Sequence, residues 1–324
     1  MHIHDVVNWS QLNDNLLSFY RAIGVDMVQL DLRTGGKSEA EKIVREGRDS
    51  TELFEKAREK VESHGLKLYT VFMSAWDEIT LASPDRDEKL DIWVRMTECL
   101  GKAGIPTLGW NFKPKGNFRT TADIGRGGVS YSTFDYEEFD KNRPEPHDPP
   151  VSEDQMWENM ETFLKVAIPA AEKAGVRMAL HPDDPPIPEP LGGVAQICST
   201  LEQFRRIFDT QPSDNHGMLF CQGCMIELVG PERIYDVIAE MASKNKVVWV
   251  HFRNVKGQLP RFVEVFHDEG EVDMRRAMEV YRDNGFNGPY GMDHTPRFPQ
   301  EGAGWAGKAY ANGYIRALIQ TVYG

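Results

Sequence analysis

Residues 179–186 of the chain read Ala179-Leu180-His181-Pro182-Asp183-Asp184-Pro185-Pro186, and the prediction of the fold starts from this octet. The apolar run at 176–180 predicts a short buried strand. Because proline cannot donate a hydrogen bond to a sheet ladder, that strand must end at His181. His181 is therefore expected at the carboxyl end of a strand, where an α/β barrel builds its active site. On this octet alone, a rigid turn that carries a solvated histidine explains the pattern equally well.

Short apolar runs alternate with amphipathic stretches along the chain of 324 residues. Predicted strands cover 3–7, 26–32, 67–73, 105–112, 176–181, 217–221, 247–253 and 289–294. Helical patterns lie near 10–21, 51–64, 86–103, 153–173, 199–209, 231–243, 271–284 and 304–321. Strands that alternate with helices favour parallel βαβ units, and eight such units favour a closed barrel over an open sheet. The sequence therefore predicts an α/β fold, a TIM (β/α)8 barrel, as a single domain over 1–324.

Several helix ends carry local signals. Gly65 and Gly175 each follow a helical pattern and predict left-handed caps. The run Ser199-Thr200-Leu201-Glu202 predicts a capping box, in which Ser199 reaches forward and Glu202 reaches back.

Residues 113–152 interrupt the alternation, because they are dense in Gly, Pro and Asp and have no helical or strand pattern. A connection this long in a compact domain is either disordered or functional. It follows the fourth strand at the carboxyl face of the barrel, so we expect a long lid-like loop over the active site.

Composition narrows the class of protein. The net charge of −13 and the pI near 5.2 argue against broad contact with nucleic acid, which needs a basic surface. No apolar run approaches the roughly 20 residues of a membrane span, and the start of the chain lacks the pattern of a secretory signal. Four cysteines make no disulfide framework, so we expect a cytoplasmic protein.

The ends of the last four predicted strands carry metal-ligand side chains: His181, Cys221, His251 and Asp293. Neighbouring strands of a barrel bring their carboxyl ends together, and two imidazoles, a thiolate and a carboxylate suit a metal ion with room for substrate. Taken singly, Cys221 could be a small buried hydrophobe and His251 a satisfied core histidine. The CxxC formed with Cys224 is a weak redox signal, because it ends a strand instead of opening a helix. We therefore expect Cys224 to be a bystander.

Further candidates surround this predicted centre. Asp293 and His294 lie side by side, where they could protonate or deprotonate a bound substrate. His267 is a third catalytic candidate, although its loop could simply precede a helix. Arg253, two residues after His251, could clamp a carboxylate or be a solvated arginine. The predicted substrate-binding residues are Asn111, Lys113, Arg119, Asp183 and Arg253.

A wider set of segments resembles one known family, from about residue 158 to the C-terminus and over 104–135. The segments are 163–177 (FLKVAIPAAEKAGVR), 181–186 (HPDDPP), 221–223 (CQG), 251–253 (HFR), His267, 270–274 (GEVDM), 293–294 (DH), 104–105 (GI), 111–114 (NFKP) and 119–120 (RT). In these segments the chain resembles the mannonate dehydratase family.

This resemblance implies a barrel of the xylose-isomerase-like superfamily and a divalent metal, usually Mn²⁺ or Fe²⁺, held by the residues that match His181, Cys221, His251 and Asp293. The family removes water from D-mannonate to give 2-keto-3-deoxy-D-gluconate, a step of hexuronate degradation. Such a reaction needs a metal, a base for the weakly acidic proton next to the carboxylate, and an acid for the departing hydroxide. The ligand set by itself leaves Zn²⁺ and Co²⁺ open.

The chain departs from the family pattern at residues 31–34 (DLRT), at 73–78 (MSAWDE), and after Asp293-His294, where the family's tyrosine has no clear match but Trp305 and Tyr310 stand nearby. These departures keep two alternatives open: a metal-dependent sugar isomerase or epimerase, and a non-catalytic barrel that binds sugar acids. The expected partner is a small sugar acid, with no nucleic acid and no membrane. A homo-oligomer stays open.

Overall fold

The computed structural model describes residues 1–33 and 38–324, and within them parallel strands close into an eight-stranded barrel in the order β1-β13-β10-β9-β8-β4-β3-β2. The strands of the described chain are β1 (Ile3–Asn8), β2 (Met27–Asp31), β3 (Lys67–Phe72), β4 (Thr107–Trp110), β5 (Asp123–Ile124), β6 (Ser130–Tyr131), β7 (Thr133–Asp135), β8 (Arg177–Leu180), β9 (His216–Cys221), β10 (Val247–His251), β11 (Asn254–Gln258), β12 (Arg261–Val265) and β13 (Tyr290–Gly291). The predicted TIM barrel is confirmed, and every barrel strand overlaps a predicted one.

Helices cover the outside of the barrel. Those in the described residues are α1 (Asp14–Ala22), α2 (Glu39–Arg45), α3 (Thr51–Glu62), α4 (Asp77–Thr80), α5 (Arg86–Lys102), α6 (Tyr136–Lys141), α7 (Glu153–Ala174), α8 (Leu201–Thr210), α9 (Gln222–Val229), α10 (Ile234–Ser243), α11 (Met274–Asp283) and α12 (Gly304–Tyr323). The sequence patterns did not predict α2, α4, α6 or α9. Along 1–33 and 38–324, no helix is both long and apolar enough to cross a membrane.

The caps follow the sequence signals with one correction. Gly175 closes α7 in the left-handed conformation, and Gly65 also has a positive φ after α3. The predicted capping box at Ser199 and Glu202 is wrong by one residue, because Thr200 and Gln203 form the box that opens α8. The Ser199 hydroxyl instead donates to Asp183.

Large apolar side chains fill the inside of the barrel below the carboxyl ends of the strands. Phe72, Leu219 and Trp249 pack together there and are almost fully buried. Gly109 on β4 gives them room, since a Cβ at this position would lie 2.5 Å from Phe72 Cδ2 and 2.8 Å from Trp249 Cη2. The barrel is therefore a packed core, and only its carboxyl face is left to form a site.

Residues 113–152 are not structureless, contrary to the sequence pattern. They contain β5, β6, β7 and α6, and β7 pairs with β12 of the β11–β12 hairpin in an antiparallel sheet beside the barrel. The partner strand is more than a hundred residues away in the chain, and strands of two or three residues are too short to show a period of their own. The lid role of this segment stays a prediction.

Candidate active site

Three of the predicted metal ligands converge at the carboxyl face of the barrel. Cys221 and His251 end β9 and β10 and lie opposite each other in the strand pairing, while His181 directly follows β8. One ligand atom from each of the three lies within 4.8 Å of the other two. The side chains that the sequence placed at neighbouring strand ends are thus close enough to share one ion.

The chemistry of these side chains fits a divalent cation. The Nδ1 of His181 lies 2.7 Å from the carbonyl oxygen of Pro182, so a proton on Nδ1 leaves Nε2 free as a ligand. Both ring nitrogens of His251 are buried, and neither has a hydrogen-bond partner among the described residues. Buried polar atoms are rarely left unpaired, so the arrangement is consistent with a bound ion.

The thiol of Cys221 is set up to ionise. Burial raises its pKa, but the neighbouring Cys224 thiol, the Arg253 guanidinium and the adjacent imidazoles together lower the pKa of Cys221 well below its usual value. Arg253 Nη2 donates to Cys221 Sγ over 3.2 Å. Because the thiolate is the form that binds metal, this environment favours a metal ligand.

Asp293 stands beside this group and follows β13. Its Oδ2 lies 3.4 Å from His251 Nδ1 and 3.1 Å from Arg253 Nε. Burial opposes ionisation, but His251, His294 and Arg253 hold the pKa of the Asp293 carboxyl below its usual value. Asp293 also has a φ of +64°, a left-handed conformation that non-glycine residues seldom adopt. Such backbone conformations are concentrated at functional sites.

His294 is the accessible imidazole of the site, with its side chain 47% exposed. Its Nε2 lies 3.0 Å from Glu264 Oε2 and 3.5 Å from Asp293 Oδ2. Burial disfavours the charged ring, yet the carboxylates of Glu264 and Asp293 raise the pKa of His294 to about 9. His294 therefore carries a proton at neutral pH.

The sequence did not predict Glu264, which lies on β12 and forms ion pairs with three cationic side chains of the site. The Glu264 carboxylate pairs with Arg253 Nη1 at 2.7 Å, and it also contacts Arg119 and His294. Burial would raise its pKa, but these cations hold the pKa of Glu264 well below its usual value. A charged residue in the strand 261–265 is a weak signal, because β12 lies outside the barrel sheet and pairs with β7, a segment distant in the chain.

Arg253 lies beneath the cleft, with 3% of its surface exposed. Besides Glu264 and Asp293 it contacts both sulfurs of the CxxC, at 3.2 Å from Cys221 Sγ and 3.5 Å from Cys224 Sγ. Its Nη1 and Nε lie at ion-pair distance from Glu264 Oε2 (2.7 Å) and Asp293 Oδ2 (3.1 Å), and neither makes a well-aligned hydrogen bond to a described residue, whereas Nη2 donates to Cys221 Sγ. Arg253 is engaged with these protein groups, and its expected role as a carboxylate clamp stays a prediction.

A cavity of about 160 Å³ lies next to the predicted ligands, and we call this cavity the cleft. It is lined by Val6, Gln29, Asp31, Arg33, Phe72, Asn111, Lys113, Asn117, His181, Asp184, His251, Asp293 and His294. Lys113 donates to Asn117, and the side-chain oxygen of Asn111 is buried with no hydrogen-bond partner along the described chain. Asn111 and Lys113 thus line the cleft, and their role in substrate binding stays a prediction.

A second cavity of about 450 Å³, the side chamber, shares His294 with the cleft. It is lined by residues of the 113–152 segment together with Arg253, Glu264, Val265 and 294–297. Arg119 of that segment donates to Asp184 Oδ2 over 2.6 Å and also contacts Glu264. The segment therefore forms a wall of the site and is tied to it by ion pairs.

The structure moves two predicted site residues away from the cleft. Asp183 is buried and accepts hydrogen bonds from Cys198 N at 2.8 Å and Ser199 Oγ at 2.9 Å, while Asp184 lines the cleft in its place. His267 is buried against Tyr314 and does not line the cleft. Burial lowers the pKa of His267 to about 4, so this histidine is neutral.

A known protein family matches more than half of this chain. The profile of D-mannonate dehydratase (UxuA) matches residues 141–323. The chain belongs to the D-mannonate dehydratase family. Among similar curated proteins are the mannonate dehydratases of Brachyspira hyodysenteriae, 27% identical over 82% of this chain and 84% of the relative, and of Streptococcus uberis, 28% identical over 84% and 86%.

A solved mannonate dehydratase from Streptococcus suis serotype 2 has the same fold, with a TM-score of 0.83. It is 22% identical and covers 99% of this chain and 94% of its own. The resemblance seen in the sequence is therefore confirmed as membership of a family of hydro-lyases.

The departures from the mannonate dehydratase pattern lie at different distances from the cleft. Asp31 and Arg33 line it and pair at 2.6 Å, while Thr34 lies outside the described residues. Residues 73–78 do not line the cleft itself but a neighbouring cavity, which they form with Glu41 and Arg45 and which shares Arg33 with the cleft. Trp305 stacks on Phe19, and like Tyr310 it is outside the cleft lining. In the described chain, Asp31 and Arg33 are thus the departures that reach the site.

The structure corrects one expectation about the CxxC. Cys221 is the N-cap of α9, so the motif does open a helix. Helix α9 is buried and apolar on nearly all sides, and it therefore lacks the one-sided pattern that reveals a helix in a sequence. Cys224 is not a bystander either, because it contacts Arg253 and neighbours the Cys221 thiol.

Proposed function

We propose that this chain is a metal-dependent hydro-lyase that converts D-mannonate, or a closely related aldonate, to the 2-keto-3-deoxy acid. The single observation that carries the proposal is the convergence of His181, Cys221 and His251 at the cleft floor, with Asp293 and His294 beside them. Membership of the D-mannonate dehydratase family supports the same reaction.

We propose Mn²⁺ or Fe²⁺ as the cofactor, held by His181, Cys221, His251 and Asp293, with Zn²⁺ and Co²⁺ as the other ions that suit these ligands. When bound, the ion stabilises the negative charge that develops next to the substrate carboxylate as the proton leaves.

Cationic and amide groups of the cleft would orient the sugar acid. Lys113 supplies a positive charge for the substrate carboxylate, and the unpaired side-chain oxygen of Asn111 can accept from a hydroxyl. Asp184 takes over the role first expected for Asp183, because it is the member of this pair that faces the cleft. Arg119 acts through Asp184 by fixing its carboxylate.

The acid of the reaction is His294. It is protonated at neutral pH, accessible from the cleft and from the side chamber, and held by Glu264 and Asp293. A proton donor in this position assists the departure of hydroxide from the neighbouring carbon. Asp293, which its surroundings keep ionised and which lies 3.5 Å from His294 Nε2, is the proton acceptor of this scheme.

The test is turnover of defined substrates. Protein stripped of metal and reloaded with Mn²⁺ or Fe²⁺ is incubated with D-mannonate and a panel of hexonates and pentonates, and the 2-keto-3-deoxy acid is measured. We expect product from D-mannonate or a close relative, and none from His294→Asn with the same metal content. No product from any acid in the panel would refute the proposal.

One observation favours a second candidate, a metal-dependent sugar isomerase or epimerase. Asp31 and Arg33 pair with each other in the cleft where the family pattern has other residues, so this end of the cleft is rebuilt. Aldose–ketose interconversion, or proton exchange at C2 without loss of water, would identify this activity in the same assay.

A further inference from the structure

We propose that a second metal-ion site lies behind Arg253 and is formed by Asp184, Cys224 and Glu227. It is distinct from the site of His181, Cys221 and His251, and no residue is shared between them. One ligand atom from each of Asp184, Cys224 and Glu227 lies within 4.8 Å of the other two, and all are buried.

The fold brings these ligands together from two elements. Cys224 and Glu227 lie three residues apart on α9, so they project from the same side of that helix. Asp184 comes from the turn after β8, where Arg119 Nη2 donates to its Oδ2 over 2.6 Å. Its other oxygen, Oδ1, is buried without a hydrogen-bond partner among the described residues.

Glu227 is the observation that points to a ligand. Its side chain has no exposed surface, and neither carboxylate oxygen accepts a hydrogen bond from any described residue. The nearest cation is Arg253 Nη2, at 3.8 Å from Oε1, which is too far for a hydrogen bond. A buried carboxylate with no donors is strongly unfavourable, and it must hold either a proton or a cation.

The charges around Arg253 also leave room for a second ion. Groups that can carry negative charge outnumber the cations there even after one divalent ion is placed on Cys221 and Asp293. The acidic groups are Asp184, Cys221, Cys224, Glu227, Glu264 and Asp293, against Arg119, Arg253 and His294. With all six acidic groups ionised, a second divalent ion near Glu227 changes the formal charge of this cluster from −1 to +1, so its binding leaves no large net charge.

The site also has a route of entry and a definite ligand chemistry. Cys224 and Glu227 are fully buried and Asp184 lines the cleft, so we infer that an ion enters from the cleft past Asp184. One thiolate and two carboxylates suit ions of intermediate softness, such as Zn²⁺, Co²⁺, Fe²⁺ or Mn²⁺. This second site has no imidazole ligand, and protons compete with the metal for its thiolate and carboxylates. We therefore expect it to bind a metal ion more weakly than the site of His181, Cys221 and His251 does.

Cobalt titration of the metal-free chain, under a reductant that keeps both cysteines as thiols, tests the proposal. Bound Co²⁺ is counted by equilibrium dialysis, and the thiolate-to-cobalt absorption bands report each sulfur ligand. We expect about two ions per chain in the wild type, and about one in Cys224→Ser and in Glu227→Gln. Cys221→Ser should instead lose the tighter ion and keep the weaker one.

Controls separate a lost site from a damaged fold. Cys99→Ser, at a buried cysteine on α5, should still bind about two ions. In Cys224→Ser and Glu227→Gln, retention of the tighter ion and its band proves that the barrel is intact. Saturation of the wild type at about one ion would overturn the proposal, as would a second ion that persists in both variants.

Discussion

Glu264→Gln is the sharpest test of how the site is held together. The substitution keeps the size of the side chain but removes the charge that faces Arg253 at 2.7 Å, with both side chains 4% exposed. Breaking a buried ion pair by removing one partner costs about 3–5 kcal/mol, because the other charge stays buried and has lost its closest counter-charge. Arg119 and His294 are more exposed, at 22% and 47%, so their contacts with Glu264 add less. We therefore expect the free energy of unfolding to fall by about 3–5 kcal/mol.

The measurement is urea unfolding of the metal-free protein at neutral pH, followed by circular dichroism, with the slope of the transition compared between variants. The control is Glu240→Gln, which removes a carboxylate 2.7 Å from Arg205 in an ion pair nearer the surface, with the side chains of Arg205 and Glu240 41% and 23% exposed. That change should lower the free energy of unfolding by less than about 1 kcal/mol. If Glu264→Gln behaves like this control, Arg253 draws its stabilisation from elsewhere and the assignment of Glu264 as its main counter-charge is wrong.

Three other predictions address the metal, the substrate and the pH. His251→Ala should lower the affinity for Mn²⁺ by about tenfold or more with an unchanged circular dichroism spectrum, and full metal occupancy by elemental analysis would contradict this. Lys113→Ala should raise KM for D-mannonate by about 10–100-fold with little change in kcat, because the substrate carboxylate loses one charge-assisted hydrogen bond. An unchanged KM would favour an uncharged sugar as the substrate. Burial lowers the pKa of His216 to about 4. Below pH 6.5 the imidazole is therefore protonated in the unfolded chain but still neutral in the folded chain, so the free energy of unfolding decreases as the pH is lowered. Between pH 7 and pH 5 the wild type should lose about 2 kcal/mol more than His216→Asn in urea unfolding, and equal losses would refute this account.

The barrel was predictable from the sequence because each of its strands is a short apolar run bounded by a turn or a helix signal. Once strands 176–181, 217–221 and 247–253 are taken as neighbours, the meeting of His181, Cys221 and His251 follows from parallel strand order alone. The chemical type of the centre was therefore accessible without coordinates.

The surroundings of the centre were not predictable, for identifiable reasons. After Pro182 the chain is neither strand nor helix, so no period decides which of Asp183 and Asp184 faces the cleft. Helix α9 is buried on nearly all sides, which hides both the helix and Glu227. Glu264 reaches the site only through the pairing of β12 with β7, a contact between distant parts of the chain.

Gly223, at the start of α9, lies directly against the Arg253 guanidinium. A Cβ at this position would be 2.7 Å from the guanidinium carbon, so any larger residue must push Arg253 away from both sulfurs. We expect residues 223 and 253 to covary across homologous sequences: wherever evolution places a bulkier side chain at 223, a shorter or uncharged one should replace arginine at 253. An alignment in which the two positions vary independently would contradict that expectation.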